Sequence, residues 1–74
     1  MADHTLDAKG LNCPLPILQA KKRMKGLEPG ETLEILATDP GAVKDFESFC
    51  QATGNTLVEQ FEDGEVHRFV LRKN

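Results

Sequence analysis

In His4-Thr5-Leu6-Asp7-Ala8 apolar and polar side chains alternate up to a glycine, the period-two pattern of a short strand with one buried face. From residue 14 to about residue 25 the period lengthens. Ile17, Ala20, Met24 and Leu27 recur at helical spacing and form a stripe that should face a sheet, with Gln19, Lys22 and Arg23 opposite. Leu15 and Leu18 fall off that stripe, on the side of Lys22. Either they stay exposed near residue 13 as a docking patch, or the helix is slightly rotated and Leu18 flanks the core. Glu28-Pro29-Gly30-Glu31 is a turn by composition, and residues 32–38 return to alternation with Leu33, Ile35 and Ala37 on one face. Asp39-Pro40 then signals a second helix, in which Ala42, Val43, Phe46, Phe49 and Cys50 share one face up to a stop at Gly54. Residues 55–62 and 65–72 are strand-like and are joined by Asp63-Gly64, a strong hairpin signal. His67 in the last strand is expected at the surface or at a sheet edge.

The order strand, helix, strand, helix, strand, strand predicts an α+β fold, a two-layer α/β sandwich. Its topology is β-α-β-α-β-β, with two helices on one face of a four-stranded mixed sheet. At 74 residues the chain is expected to make one domain, residues 1–74, near the size at which an unaided core only just suffices. Nothing resembles a signal peptide and no apolar run approaches membrane-spanning length, so a cytoplasmic protein without membrane contact is expected. Two cysteines far apart in sequence argue against a disulfide framework in a reducing compartment. Cys50, inside an apolar stripe, reads as a small core residue without chemistry.

Charge changes this picture. The net charge is −3, yet residues 8–27 carry five bases and no acid, whereas residues 28–65 carry ten acids and Lys44 alone. The acidic total weighs against direct nucleic-acid binding, which needs broad phosphate neutralisation. Lys21, Lys22, Arg23 and Lys25 would instead attract acidic surfaces of partner proteins and raise encounter rates, unless they only solvate one helix face.

The candidate chemistry lies in Gly10-Leu11-Asn12-Cys13-Pro14-Leu15-Pro16. Proline is tolerated in a helix only in its first turn, so Pro14 and Pro16 mark a helix start. With Pro14 as the first helical residue, Cys13 becomes the N-cap. Its sulfur then sits at the positive end of a helix dipole, near the unpaired N–H groups of Leu15 and Ile17. Such a site favours thiolate over thiol, and the thiolate is the nucleophile. A dithiol redox site would need a resolving cysteine about one turn on, where this chain has Pro16. A metal site is not expected, because His4, Cys13, Cys50 and His67 contain no close pair of the structural-zinc type. One accessible thiol with no nearby cysteine to discharge it suits a covalent carrier. The alternative is a redox-sensitive regulatory or protein-binding module without sulfur transfer.

Cys-Pro-Leu-Pro led by Gly-Leu-Asn, with His-Thr-Leu-Asp upstream and Gly-Glu-Thr-Leu-Glu-Ile and Thr-Asp-Pro-Gly downstream, resembles the TusA/SirA family of sulfur carrier proteins over nearly the whole chain. The resemblance implies a sulfurtransferase in the carrier sense. Cys13 would be the catalytic residue and would hold a transient persulfide, with no resident cofactor, supported by Gly10, Asn12, Pro14, Leu15, Pro16 and Ile17. It further implies a sulfur donor of cysteine desulfurase or rhodanese type and an acceptor of DsrE/TusD type with a reactive cysteine. The implied outlets are 2-thiouridine formation in transfer RNA, molybdenum-cofactor supply or sulfur oxidation. The partner-binding residues would be Leu15, Leu18, Lys21, Lys22, Arg23 and Lys25, on a protein expected to act as a monomer. The position between the two prolines is often acidic in the family and is Leu15 here, which bears on partner choice.

Overall fold

The computed structural model describes residues 3–12 and 14–74. Strands β1 (His4–Ala8), β2 (Thr32–Ala37), β3 (Thr56–Asp63) and β4 (Val66–Arg72) form one sheet in the order β1-β2-β4-β3. Helix α1 (Leu15–Lys25) connects β1 to β2, and helix α2 (Ala42–Thr53) connects β2 to β3. β1 runs parallel to β2, and β4 is antiparallel to both its neighbours. The first three strands therefore point the same way, so both helices run back against them and start at the same end of the sheet. The expected two-layer β-α-β-α-β-β sandwich is what forms.

The alternating patterns resolve into a single buried layer. Leu6 and Ala8 of β1, Leu33, Ile35 and Ala37 of β2, and Phe69 and Leu71 of β4 are buried on the helix side. Against them pack Ala20 and Met24 of α1, Leu27 after it, and Ala42, Phe46, Phe49 and Cys50 of α2. Phe46 and Phe69 hold the two layers together, their ring centroids 4.7 Å apart. Burying rings of this size dominates the apolar stabilisation of so small a core, at roughly 1.5–3 kcal/mol each.

Several boundaries differ from expectation, each for a local reason. α2 begins after Gly41, not at Pro40, because the Ala42 N–H turns back to the Asp39 carbonyl at 3.0 Å before the helix starts. It ends as expected at Gly54, whose φ of +77° is the left-handed cap conformation. In the hairpin Asp63 pairs with Val66, so the two-residue turn is Gly64-Glu65. An Asp-Gly centre of type I′ needs positive φ at both positions, whereas here only Gly64 has it, at +64°. His67 is not a surface side chain. It lies on the helix side of β4 opposite Ala37, half-buried, with its ring centroid 6.4 Å from that of Phe69.

β3 departs most from a regular strand. Leu57 pairs with Leu71 and packs on the core, but Glu59 already pairs with Val70, leaving Val58 as an extra residue in a bulge. Beyond the bulge the positions opposite Phe69 and His67 are Gln60 and Glu62, so the outer half of this edge strand contributes nothing apolar to the core. The far end of the sandwich is closed by Lys73. Its ammonium donates to the Met24 carbonyl at 2.7 Å, satisfying an end-of-helix acceptor of α1, while its backbone N–H donates to the Glu31 carbonyl at 2.9 Å.

Candidate functional site at the start of helix α1

The segment between β1 and α1 leaves the sheet at the end where both helices begin. Gly10 turns it with a φ of +81°, a conformation that other residues rarely adopt, and nothing crowds the position a Cβ would take. The Leu11 N–H returns to the Ala8 carbonyl at 3.3 Å, and the Gly10 N–H donates to the Thr38 hydroxyl at 3.0 Å. The loop is thus tied to its own strand and to the loop after β2.

Cys13 lies outside the described residues, and so does its expected place as N-cap sulfur. Its two neighbours fix how the helix starts. The Pro14 carbonyl accepts the first helical bond, from the Leu18 N–H at 3.1 Å, so Pro14 itself occupies the cap position and the helix begins at Leu15. That is one residue later than the proline pattern predicts, and Pro16 sits inside the first turn, where its missing N–H is tolerated. The expectation of a free N–H at Leu15 also needs correction, because this group donates to the Asn12 carbonyl at 2.8 Å. Among the described residues the first turn of α1 carries no acidic residue and no side-chain cap, so no charge on the turn itself opposes the positive end of the helix dipole.

The remaining predicted residues separate clearly. Pro16 is buried and Ile17 is half-buried against the core. Leu15 and Leu18 are exposed, at 45% and 53%, which decides against the rotated helix and leaves two aliphatic side chains free on the first turns. Lys21, Lys22, Arg23 and Lys25 are all exposed further along the same helix. Sequence reasoning missed a groove of 330 Å³ between the two helices, lined by Pro14, Ile17, Phe49 and Ala52 with Asp45 and Ser48 as its polar members. Its signal was hidden because three of these six residues sit on the rim of the α2 stripe, where a one-helix pattern reads them as solvent-facing.

Cys50 falls in the core at 6% exposure, and burial pushes its thiol up from the ordinary value. A raised pKa suppresses the thiolate, so this sulfur is chemically quiet. No helix among the described residues is long and apolar enough to cross a membrane.

The fold is a two-layer sandwich whose sequence sets a cysteine just before the acid-free first turn of α1, with exposed aliphatic residues on that turn, the arrangement of a small carrier domain. Residues 4–73 match the family model described as sulfurtransferase TusA. The chain is 51% identical over 72 residues to the sulfur carrier protein TusA of Allochromatium vinosum, covering 97% of this chain and 95% of that one. It is 52% identical over 68 residues to the putative sulfur carrier protein YrkF of Bacillus subtilis, covering 92% of this chain but only 37% of that longer protein. Its fold is similar to the crystal structure of a SirA-like protein from Desulfitobacterium hafniense, with a TM-score of 0.83 at 25% identity over 93% of this chain and 95% of that one. The chain belongs to the TusA family of sulfur carrier proteins, whose role requires proteins that give sulfur and proteins that take it.

Proposed function

We propose that the chain relays sulfur as a persulfide on Cys13. The Cys13 thiolate attacks the outer sulfur of a donor protein's persulfide. A bond forms between the Cys13 sulfur and that outer sulfur, the donor's own sulfur–sulfur bond breaks, and the donor cysteine leaves as thiolate. The product is Cys13–S–SH, with no net oxidation or reduction. An acceptor thiolate then attacks the outer sulfur in turn, taking it and its proton and releasing the Cys13 thiolate. The helix start favours the anion that exists before the first step and after the second.

The observation that carries this reading is the match of the whole family pattern to a chain whose only other cysteine is buried in the core. Exposed Leu15 and Leu18 support docking beside the reactive group, since apolar side chains exclude water where two sulfurs meet. The donor is of cysteine desulfurase or rhodanese type and the acceptor of DsrE/TusD type. The relay serves 2-thiouridine formation in transfer RNA, with molybdenum-cofactor supply and sulfur oxidation as further outlets, and acts in the cytoplasm without a resident cofactor. Incubation with a cysteine desulfurase and cysteine should add one reductant-labile sulfur atom to the intact mass. The Cys13→Ser protein should gain none. Loading of that variant would take the relay away from Cys13, and no loading of the unaltered chain would point to a regulatory binding module.

A further inference from the structure

Both helices lie on one face of the sheet, and among the described residues no layer covers the other face. By strand alternation that face carries Thr5 and Asp7 of β1, Glu34 and Leu36 of β2, Arg68 and Val70 of β4, and the outward positions of β3. The bulge matters here, because it sets both Val58 and Glu59 against Val70 and turns Phe61 onto this face, where an unbulged strand running on from Leu57 would aim it at the helices. Val58 and Phe61 are 46% and 50% exposed, and with Val70 they floor a shallow depression of 510 Å³ rimmed by Glu34, Glu59 and Arg68. Apolar side chains grouped in one depression, an aromatic ring among them, are the composition of a contact surface.

Charge selects the occupant. Asp7, Glu34, Glu59 and Asp63 lie on or beside this face, against Arg68 and Arg72, and Arg68 is already engaged with Glu34 at 3.3 Å. The face is therefore net negative, while the chain's own basic cluster sits on α1 in the opposite layer. Two copies meeting through this face would bring like charge together, which opposes a face-to-face dimer. Helices pack on both faces of the sheet in three-layer α/β folds, so a helix is an element that such an open sheet face accommodates. We propose that the open sheet face docks an amphipathic helix of a partner protein, its apolar stripe lying over Val58, Phe61 and Val70 and its flanking lysines or arginines meeting Glu59, Glu34 and Asp7. The occupant sits behind the sheet and leaves the start of α1 uncovered, so a carrier held in this way still presents its thiol end. The surface does not depend on the chemistry of Cys13.

The test uses two designed helical peptides with the same leucine stripe, one flanked by lysines and one by glutamates, titrated into the isotope-labelled full chain. The lysine-flanked peptide should shift the amide resonances of Glu34, Val58, Phe61, Arg68 and Val70 and bind at least about tenfold more tightly than its acidic counterpart, a gap of about 1.4 kcal/mol. Phe61→Ser and Glu59→Lys, both at exposed positions, should each weaken that binding severalfold with an unchanged thermal unfolding midpoint. Shifts centred on α1 or α2, equal affinity for the two peptides, or no binding would overturn the proposal. So would a concentration-dependent dimer in sedimentation that Phe61→Ser abolishes, since the face would then belong to a second copy.

Discussion

The backbone N–H of Gly10 donates to the side-chain hydroxyl of Thr38 at 3.0 Å, linking the loop that leads into Cys13 to the loop that leads into α2. These loops leave neighbouring parallel strands, and the bond spans the one gap that the sheet ladder no longer bridges. Thr38→Val keeps the branched shape and removes the acceptor. It should cost about 0.5–1.5 kcal/mol and speed hydrogen exchange at Gly10, while Thr38→Ser restores both. An unchanged Gly10 exchange rate in Thr38→Val would show that the loop is held by other means.

Cys50 provides a second test, because the structure assigns it to packing. Cys50→Ala should load sulfur normally and lose about 1–3 kcal/mol of stability. Its thiol titrates above the unfolded value in the folded chain. Its contribution is therefore intact below the unfolded pKa of about 8.5, and is lost as pH rises through the higher folded value. The alkaline fall in stability should accordingly be shallower in Cys50→Ala. Loss of sulfur loading with unchanged stability would refute the assignment.

Glu31 gives the opposite slope. A hydrogen bond from the Glu28 N–H at 2.7 Å, and then the imidazole of His4 at 3.3 Å, hold its carboxyl below the ordinary range. A lowered folded-state pKa stabilises the fold above the unfolded value of about 4.3 and is lost as pH falls through the folded one. Glu31→Gln should lower stability slightly at neutral pH and converge with the unaltered chain in acid, flattening the acid limb, as chemical denaturation between neutral and acid pH would show.

Docking and reactivity should separate on α1. Reversing Lys22 and Arg23 to Glu should slow protein-to-protein sulfur transfer and flatten its salt dependence, since exposed charges act mainly on encounter. Leu15→Glu should change which partner is accepted without removing the reactivity of Cys13 toward a small alkylating reagent. If alkylation and transfer fell together in Leu15→Glu, the residue would be shaping the thiol and not the docking surface.

How far the chain could be read without coordinates depended on whether a residue's surroundings come from its own element. β1 and β2 were legible because one face of each is buried, so alternation survives in Leu6, Leu33 and Ile35. Phe46, Phe49 and Cys50 were legible for the same reason at helical period. The bulge at Val58 was not, since the outer half of β3 has no buried face to impose a period. His67 was misplaced because its burial comes from packing beside Phe69 under the helices and not from its neighbours in sequence. At the site, prolines located the start of α1 to within one residue, but the Asn12–Leu15 turn that shifts it leaves no mark in composition. The groove shared by Pro14, Asp45 and Phe49 exists only because two helices meet.

The strand order carries a consequence for how the molecule comes into being. β4, the last strand along the chain, lies between β2 and β3 and supplies both Phe69 and Leu71 to the core. A nascent chain emerging from the ribosome therefore has an empty slot between β2 and β3 until β4 arrives, and Phe46 has only Phe49 of its own helix beside it, without the Phe69 ring that packs on it from the sheet. Contacts of such long sequence separation close late, which makes acquisition of the fold nearly all-or-none and places it after synthesis of this segment. Until then Cys13, near the other end of the segment, is already outside the tunnel on an unfolded chain. Its thiol is thus open to cellular oxidants before helix α1 has formed.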